Sequence, residues 1–222
     1  MSDKIAKLGR PKSEEKRLQI LDCATELFLQ NGFTNTSMDI IARKAGVAKQ
    51  TVYSHFNNKD DLYTAVIGEK CHQYKLDASQ FKDSSVPFQE VLNEMANQIV
   101  SLLQDPEVIA MHMIVIGESN NNPRVAELFY RAGPLQSVET VAGIFRFFLP
   151  SKVTTNTQAI SIATDFFNLL KGDFYMRSML QLPFLLSQEQ QQRHCERVCQ
   201  QISLMIDNLS QFPCTHVVKH QP

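Results

Sequence analysis

The stretch Thr36–Lys59, TSMDIIARKAGVAKQTVYSHFNNK, leaves this chain few folds to choose from. Thr36 can cap a first helix, and Asp39 three residues on completes a T-x-x-D capping box. Met38, Ile41, Ala42 and Ala45 recur at helical spacing. Gly46 ends that helix where a positive φ costs glycine little. A second helix is predicted from about Lys49 to Phe56. Two short helices around a tight turn make a helix-turn-helix, whose second helix normally lies in the DNA major groove. Stepping about 100° per residue puts Val52 and Phe56 on one face, which must be the buried one. Gln50, Thr51 and Ser54 lie on the far side, flanked by Lys49, Tyr53 and His55. All six can reach phosphate oxygens or base edges. An ordinary amphipathic helix on a protein surface would present a similar face.

The flanking residues narrow the choice. Ile20–Phe28 with Gly32-Phe33, Thr36-Ser37-Met38, Ile41-Ala42-Arg43-Lys44-Ala45-Gly46-Val47, Thr51-Val52-Tyr53-Ser54-His55-Phe56 and Lys59 together resemble the TetR family of bacterial regulators. The resemblance implies a three-helix DNA-binding head over residues 13–59. It also implies DNA contacts from Thr36 and the outward face of the second helix, with Lys59 on a phosphate. Gly9-Arg10-Pro11-Lys12 is similar to the arm that precedes the first helix in many such proteins. Residues 1–12 form a basic arm whose Arg10 and Lys12 could enter a minor groove, or a solvated tail. One position departs from the family pattern: Ala48 stands where a serine is frequent. Alanine cannot cap the recognition helix, a loss of about 1 kcal/mol of local stability.

Charge is divided in the same way. The net charge is −1, but residues 1–59 carry ten Lys/Arg against six Asp/Glu, so the head is +4 and the remainder −5. A basic head on an acidic body fits a localised DNA contact and not a non-specific nucleic-acid coat. The five cysteines (Cys23, Cys71, Cys195, Cys199 and Cys214) are scattered and odd in number, as free thiols are in a reducing compartment. His194-Cys195 with Cys199 lacks the clustering of a structural metal site, and neither metal nor cofactor is expected. No apolar run approaches the ~18–20 residues that span a bilayer. The polar, basic N-terminus has no signal-peptide core, so a cytoplasmic protein without membrane contact is expected.

The pattern is helical throughout, predicting an all-α chain of about nine helices. The first helix starts at Ser13 and buries Ile20, Leu21, Ala24, Leu27 and Phe28, with Gly32 ending it. A long helix from Lys59 to about Phe81 forms the covalent lever into a larger domain over residues 60–212. Further helices follow over about 88–104, from Asp105-Pro106, from Asn122-Pro123 to Ala132, and from a break at Gly133-Pro134 to Phe148. Two long helices, about 157–181 and 187–212, finish the fold, and the tail 213–222 frays. The segment VIAMHMIVIG is apolar all round and should be buried.

Eleven of the fourteen Phe and six of the eight Met lie after residue 75. They fill an all-helical core, and some can line an adaptable apolar pocket. Candidates are Met95, Ile99, Met111, Met113, Phe129, Phe145, Phe148 and Phe167. His112 is the polar group among them, either a ligand contact or a core histidine with a backbone partner. Val198, Ile202, Met205 and Leu209, with Phe166, Leu170 and Phe174 on the preceding helix, form a seam that a two-fold mate could complete as a four-helix bundle. The same spacing would also serve packing within one chain. Asp105-Pro106-Glu107-Val108 through Gly117-Glu118, Glu127 through Pro134, and Leu169 through Asp173 resemble the C-terminal domain of AefR-like TetR regulators. By implication the body binds a small effector and dimerises.

Three functions are compatible with these features. The favoured one is a homodimeric repressor on a palindromic operator, released by a small, largely apolar effector. The second is a DNA-binding regulator without small-molecule control. The third is an enzyme, for which no G-x-S-x-G, Walker, G-x-G-x-x-G, H-E-x-x-H or C-x-x-C pattern is present.

Overall fold

The computed structural model describes residues 12–74 and 85–209. It is all-helical, with no strand among the described residues. Four helices come first: α1 (Lys12–Asn31), α2 (Met38–Lys44), α3 (Lys49–His55) and α4 (Lys59–Gln73). They are followed by α5 (Phe88–Leu103), α6 (Pro106–Ser119), α7 (Pro123–Tyr130), α8 (Gln136–Phe148), α9 (Asn156–Met179) and α10 (Gln188–Asp207). The predicted continuation of α4 towards Phe81, the arm with Arg10, and the tail from residue 213 lie outside the described residues.

Helix ends follow local chemistry, with some changes of residue. α1 opens at Lys12, one residue before the expected Ser13. α2 is capped by Ser37, whose Oγ accepts from the Ile40 amide at 3.3 Å, so the expected Thr36–Asp39 box does not form. Asp105 caps α6 by accepting from the amides of Glu107 and Val108, with Pro106 in the first turn. Ser187 and Gln190 form the expected capping box of α10, and Thr155 with Gln158 forms another on α9. Gly133-Pro134 does not break the chain. The backbone passes through one π-helical turn, Arg131–Leu135, into α8. A wider turn accommodates a proline that has no amide to donate. Gly133 also admits α4, because a Cβ there would lie 3.1 Å from Ile67 Cγ2.

α9 is kinked at Gly172, whose φ of +51° and ψ of −167° only glycine adopts at low cost. The kink exposes the Leu170 carbonyl, which accepts from His194 Nε2 of α10 at 2.9 Å.

Two apolar cores hold the molecule together. One joins α5, α8, α9 and α10 around Leu92, Met95, Ile99, Phe145, Phe166 and Ile202. The other gathers α1–α4 around Phe28, Ile41, Val52 and Tyr63, and includes Met111 and Val115 of α6 and Val125 and Leu128 of α7. The head's core therefore does not close at residue 59. α6 is not buried all round as expected: Ile116 is 60% exposed, and only its inner stripe of Ile109, Met111 and Val115 is fully covered.

Candidate nucleic-acid interface

α3 presents the faces that its spacing predicts. Val52 and Phe56 are buried in the head's core, while Gln50, Tyr53 and Ser54 are exposed and Thr51 and His55 partly so. Ala48 occupies the cap position and makes no side-chain cap hydrogen bond. Tyr53, 44% exposed, is the one large aromatic on the outer face of α3. Lys49 pairs with Asp39 of α2 at 2.7 Å and lies 5.9 Å from the Tyr53 ring centroid. Its hydrogen bond to the Asp39 carboxylate raises its pKa, so it stays a cation, but it must exchange that partner to reach a phosphate. Ser54 Oγ donates to the Thr51 carbonyl at 2.7 Å and keeps lone pairs free to accept. Sequence spacing did not flag Arg17, whose guanidinium sits 5.5 Å from the Phe56 ring beside the end of α3. Only packing brings α1 there. Lys12 opens α1, and its side chain lies outside the described residues.

Two side chains expected at the DNA have partners within the head. Thr36 is 2% exposed, and its hydroxyl donates to the Gly32 carbonyl at 2.7 Å and lies 3.2 Å from that of Leu27. A buried hydroxyl with backbone partners cannot turn outward to DNA. Lys59 Nζ donates to the carbonyls of Phe33 at 2.8 Å and Thr36 at 2.9 Å, and lies 4.2 Å from the Phe33 ring centroid. Burial pushes its pKa down. The cation ties the start of α4 to the turn between α1 and α2, where backbone dipoles and an aromatic face outcompete solvent.

Polar contacts fasten that head to α6 and α7. The Glu118 carboxylate accepts from Thr34 through the amide at 3.3 Å and the hydroxyl at 3.0 Å. Arg124 at the start of α7 pairs with Asp60 at 3.1 Å. At the other end of α4, Lys70 pairs with Asp105 at 2.9 Å and Glu107 at 2.8 Å, and the Tyr74 hydroxyl donates to Asp105. Burial alone would raise the Asp105 carboxyl, but Lys70, Tyr74 and two α6 amides outweigh it and hold it low. Both ends of α4 are thus held by the helix pair that follows α5.

The candidate pocket residues do not form one group. Met95, Ile99 and Phe145 are sealed in the core around α5, with Phe148 and Phe167 packed against it. Met111 and Phe129 belong to the head's core. Met113 is partly buried, 3.8 Å from Gln181 Nε2. His112 lies at the seam, with Nδ1 2.8 Å from the Val108 carbonyl and its ring edge-on to Phe129 and Tyr175.

The candidate dimer seam is also covered within the chain. Phe166, Leu170, Phe174, Val198 and Ile202 are buried against α5, and Met205 and Leu209 pack beside them. The regular spacing on α10 reports this intrachain contact. Cys195 and Cys199 face the same core, and burial pushes their thiols up to about 11 and about 12. Among the described residues no single helix is long and apolar enough to cross a membrane.

Comparison with known proteins places this geometry. The profile for "Bacterial regulatory proteins, tetR family" matches residues 20–66. That for "AefR-like transcriptional repressor, C-terminal domain" matches residues 90–202, about half of the chain. The HTH-type transcriptional regulator SrpR of Pseudomonas putida is 40% identical over 73 residues, 33% of this chain and 34% of that protein. The chain thus aligns with only about a third to a half of the length of the first such relatives. A solved TetR-family chain from Mesorhizobium loti superimposes with a TM-score of 0.68 at 22% identity, covering 88% of this chain and 98% of that one. The "Flavonoid-responsive Regulator FrrA" superimposes with a TM-score of 0.63 at 26% identity, covering 85% and 95%. With both halves matched in order, the chain belongs to the TetR family of bacterial regulatory proteins, which are helix-turn-helix DNA-binding transcriptional regulators.

Proposed function

We propose that this protein is a repressor that binds a palindromic operator as a homodimer and is released by a small, largely apolar effector. The observation that carries the DNA-binding part is the outer face of α3, where Gln50, Tyr53 and Ser54 stand exposed on a helix anchored by Val52 and Phe56. Lys49, Thr51 and His55 flank them, and Arg17 adds a cation beside the helix end. In this reading α3 enters the major groove and these groups divide between phosphates and base edges. Arg10 in the N-terminal arm and Lys12 at the start of α1 would add minor-groove or phosphate contacts.

Two heads are needed to read two half-sites one or more helical turns apart. The mate would lie on the outward faces of α9 and α10, where Met176 and Leu204, with Leu180 just past the end of α9, are exposed apolar residues. Effector release is supported by the AefR-like match over the body and by the flavonoid response named for FrrA. It is also supported by the polar ties from α6 and α7 to the head, because an effector that moves those helices would move the heads. Such coupling is typically 1–3 kcal/mol.

The test is selection of bound DNA fragments, a footprint, and then Tyr53→Ala. Loss of Tyr53 should weaken operator binding by roughly tenfold to a hundredfold, the worth of a good base contact, while leaving the circular dichroism spectrum and the dimer unchanged. Full operator affinity in that variant would overturn the placement of α3.

A further inference from the structure

Three polar groups meet at the seam between the two cores, and none has a hydrogen-bond partner among the described residues for the atom it presents there. His112 of α6 must donate through Nδ1, because the Val108 carbonyl 2.8 Å away can only accept. Burial lowers its pKa, so the ring is neutral and Nε2 keeps an open lone pair. That ring is edge-on to Phe129 of α7, centroids 4.8 Å apart, and to Tyr175 of α9, 5.9 Å apart. Tyr175 contributes a ring and an unengaged hydroxyl. Lys171, one turn earlier on α9, places its ammonium 5.7 Å from the Tyr175 centroid. It is partly buried and has no carboxylate partner among the described residues, since nearby Asp173 leans towards Arg177 at 3.8 Å. It directly precedes Gly172, where α9 is kinked.

None of these three atoms is sealed from solvent, so a solute that reaches them exchanges water for its own polar groups. The charged pairs at Asp105 and Asp60 are satisfied within the chain, whereas this set is not. The seam offers one cation, one acceptor, one phenol and two aromatic rings. The solute that fits is flat and aromatic, carries one oxyanion for Lys171, and has a hydroxyl that can donate to His112 Nε2. We infer that the seam between α6, α7 and α9 binds a hydroxylated aromatic anion, with Lys171 as its counter-charge. This rests on the proposed role of the body as the effector domain and names the chemical class of effector.

The site also lies where an effector would act. Phe129 packs on the head's core and Tyr175 on the body's core, so one bound ring touches both. From His112, α6 runs on to Glu118, which holds Thr34 of the head.

The experiment is calorimetric titration of the full chain with hydroxynaphthoate, its neutral amide hydroxynaphthamide, naphthoate without the hydroxyl, and nitrophenolate. The carboxylate and phenolate arms distinguish the two sources of the oxyanion. Hydroxynaphthoate should bind about tenfold or more tightly than its amide, as expected for a charge-assisted hydrogen bond. Lys171→Met should remove that advantage without affecting the amide, and Lys171→Arg should keep it. His112→Phe should weaken hydroxynaphthoate but not naphthoate. Equal binding of acid and amide, unchanged acid affinity in Lys171→Met, or no binding of any probe at millimolar concentration would overturn the inference. In the last case an operator that some other compound releases would leave the proposed function standing. Lys171-dependent binding that never releases the operator would support the site and remove the effector role of the body.

Discussion

Lys59→Ala separates two roles that a lysine at the start of α4 can play. Its ammonium donates to two backbone carbonyls, Phe33 at 2.8 Å and Thr36 at 2.9 Å, and lies over the Phe33 ring. Hydrogen bonds to charged groups contribute roughly 1.5–3 kcal/mol each, and a partly exposed cation–π contact about 0.5–1 kcal/mol. Lys59 is only partly buried, so water will rehydrate some of what the truncation uncovers, which favours the lower end of these ranges. The lower ends sum to about 3.5 kcal/mol, and rehydration of the freed carbonyls brings the net loss to about 2–3 kcal/mol. For a chain of this size each kcal/mol lowers Tm by about 2–4 °C, so a drop of roughly 5–10 °C is expected. Urea denaturation followed by circular dichroism should give the same loss with an unchanged slope. Operator affinity is then measured against salt concentration at a temperature where the variant is folded. A structural lysine leaves the slope of log affinity against log salt unchanged, whereas loss of a phosphate contact lowers it by about 0.9. Wild-type stability together with that smaller slope would refute the structural role.

Four further variants have outcomes fixed by the geometry. Ala48→Ser should supply the missing cap of α3 and raise stability by about 1 kcal/mol in urea denaturation, and no gain would mean that the cap geometry is unsuitable. Gly172→Ala should cost about 2–3 kcal/mol, because φ is +51° and the new Cβ would sit 3.0 Å from His194 Cε1. Gly46→Ala, at φ +62° with open space around it, should lose only the backbone part, about 1–2 kcal/mol, and equal losses at the two sites would refute the His194 contact. His112 has a folded pKa below its ordinary value, so the unfolded state binds its proton first as pH falls. Its contribution is full above about pH 6.5 and is lost as pH falls towards the folded pKa, so His112→Gln should flatten the decline in Tm between about pH 7 and 5.

The outer face of α3 was legible in the sequence because one helical period with two anchors, Val52 and Phe56, fixes every other direction. Thr36 was not, because Thr36 and Ser37 are adjacent hydroxyl residues and either can cap a helix. The choice was made by Leu27 and Gly32, whose carbonyls take the Thr36 hydroxyl inward. The intrachain partners of Lys59 were hidden for a similar reason: its acceptors are 23 and 26 residues away and are backbone atoms, which leave no residue-type signal. On α10 the apolar spacing of Val198, Ile202 and Met205 was legible, but spacing cannot say whose helix covers it. α5 does. Gly133-Pro134 suggests a break in any linear reading, and only the π turn, with Gly133 close to Ile67, makes it continuous.

The way the cores are shared bears on modularity. The chain enters the head's core with α1–α4, leaves it for α5, returns with α6 and α7, and leaves again through α8. No single cut separates head from body. A fragment ending after α4 would remove Met111, Val115, Val125 and Leu128 from the core that holds Leu62, Tyr63, Val66 and Ile67, and a chimera joined at residue 59 would set one protein's α4 against another's α6 and α7. Recombination between relatives of this kind should succeed only when the exchanged piece carries α6 and α7 along with the head, or when the residues facing Met111, Val115, Val125 and Leu128 are exchanged with them. Head and body are inherited together through those two helices, which limits how freely a new specificity could be assembled from existing parts.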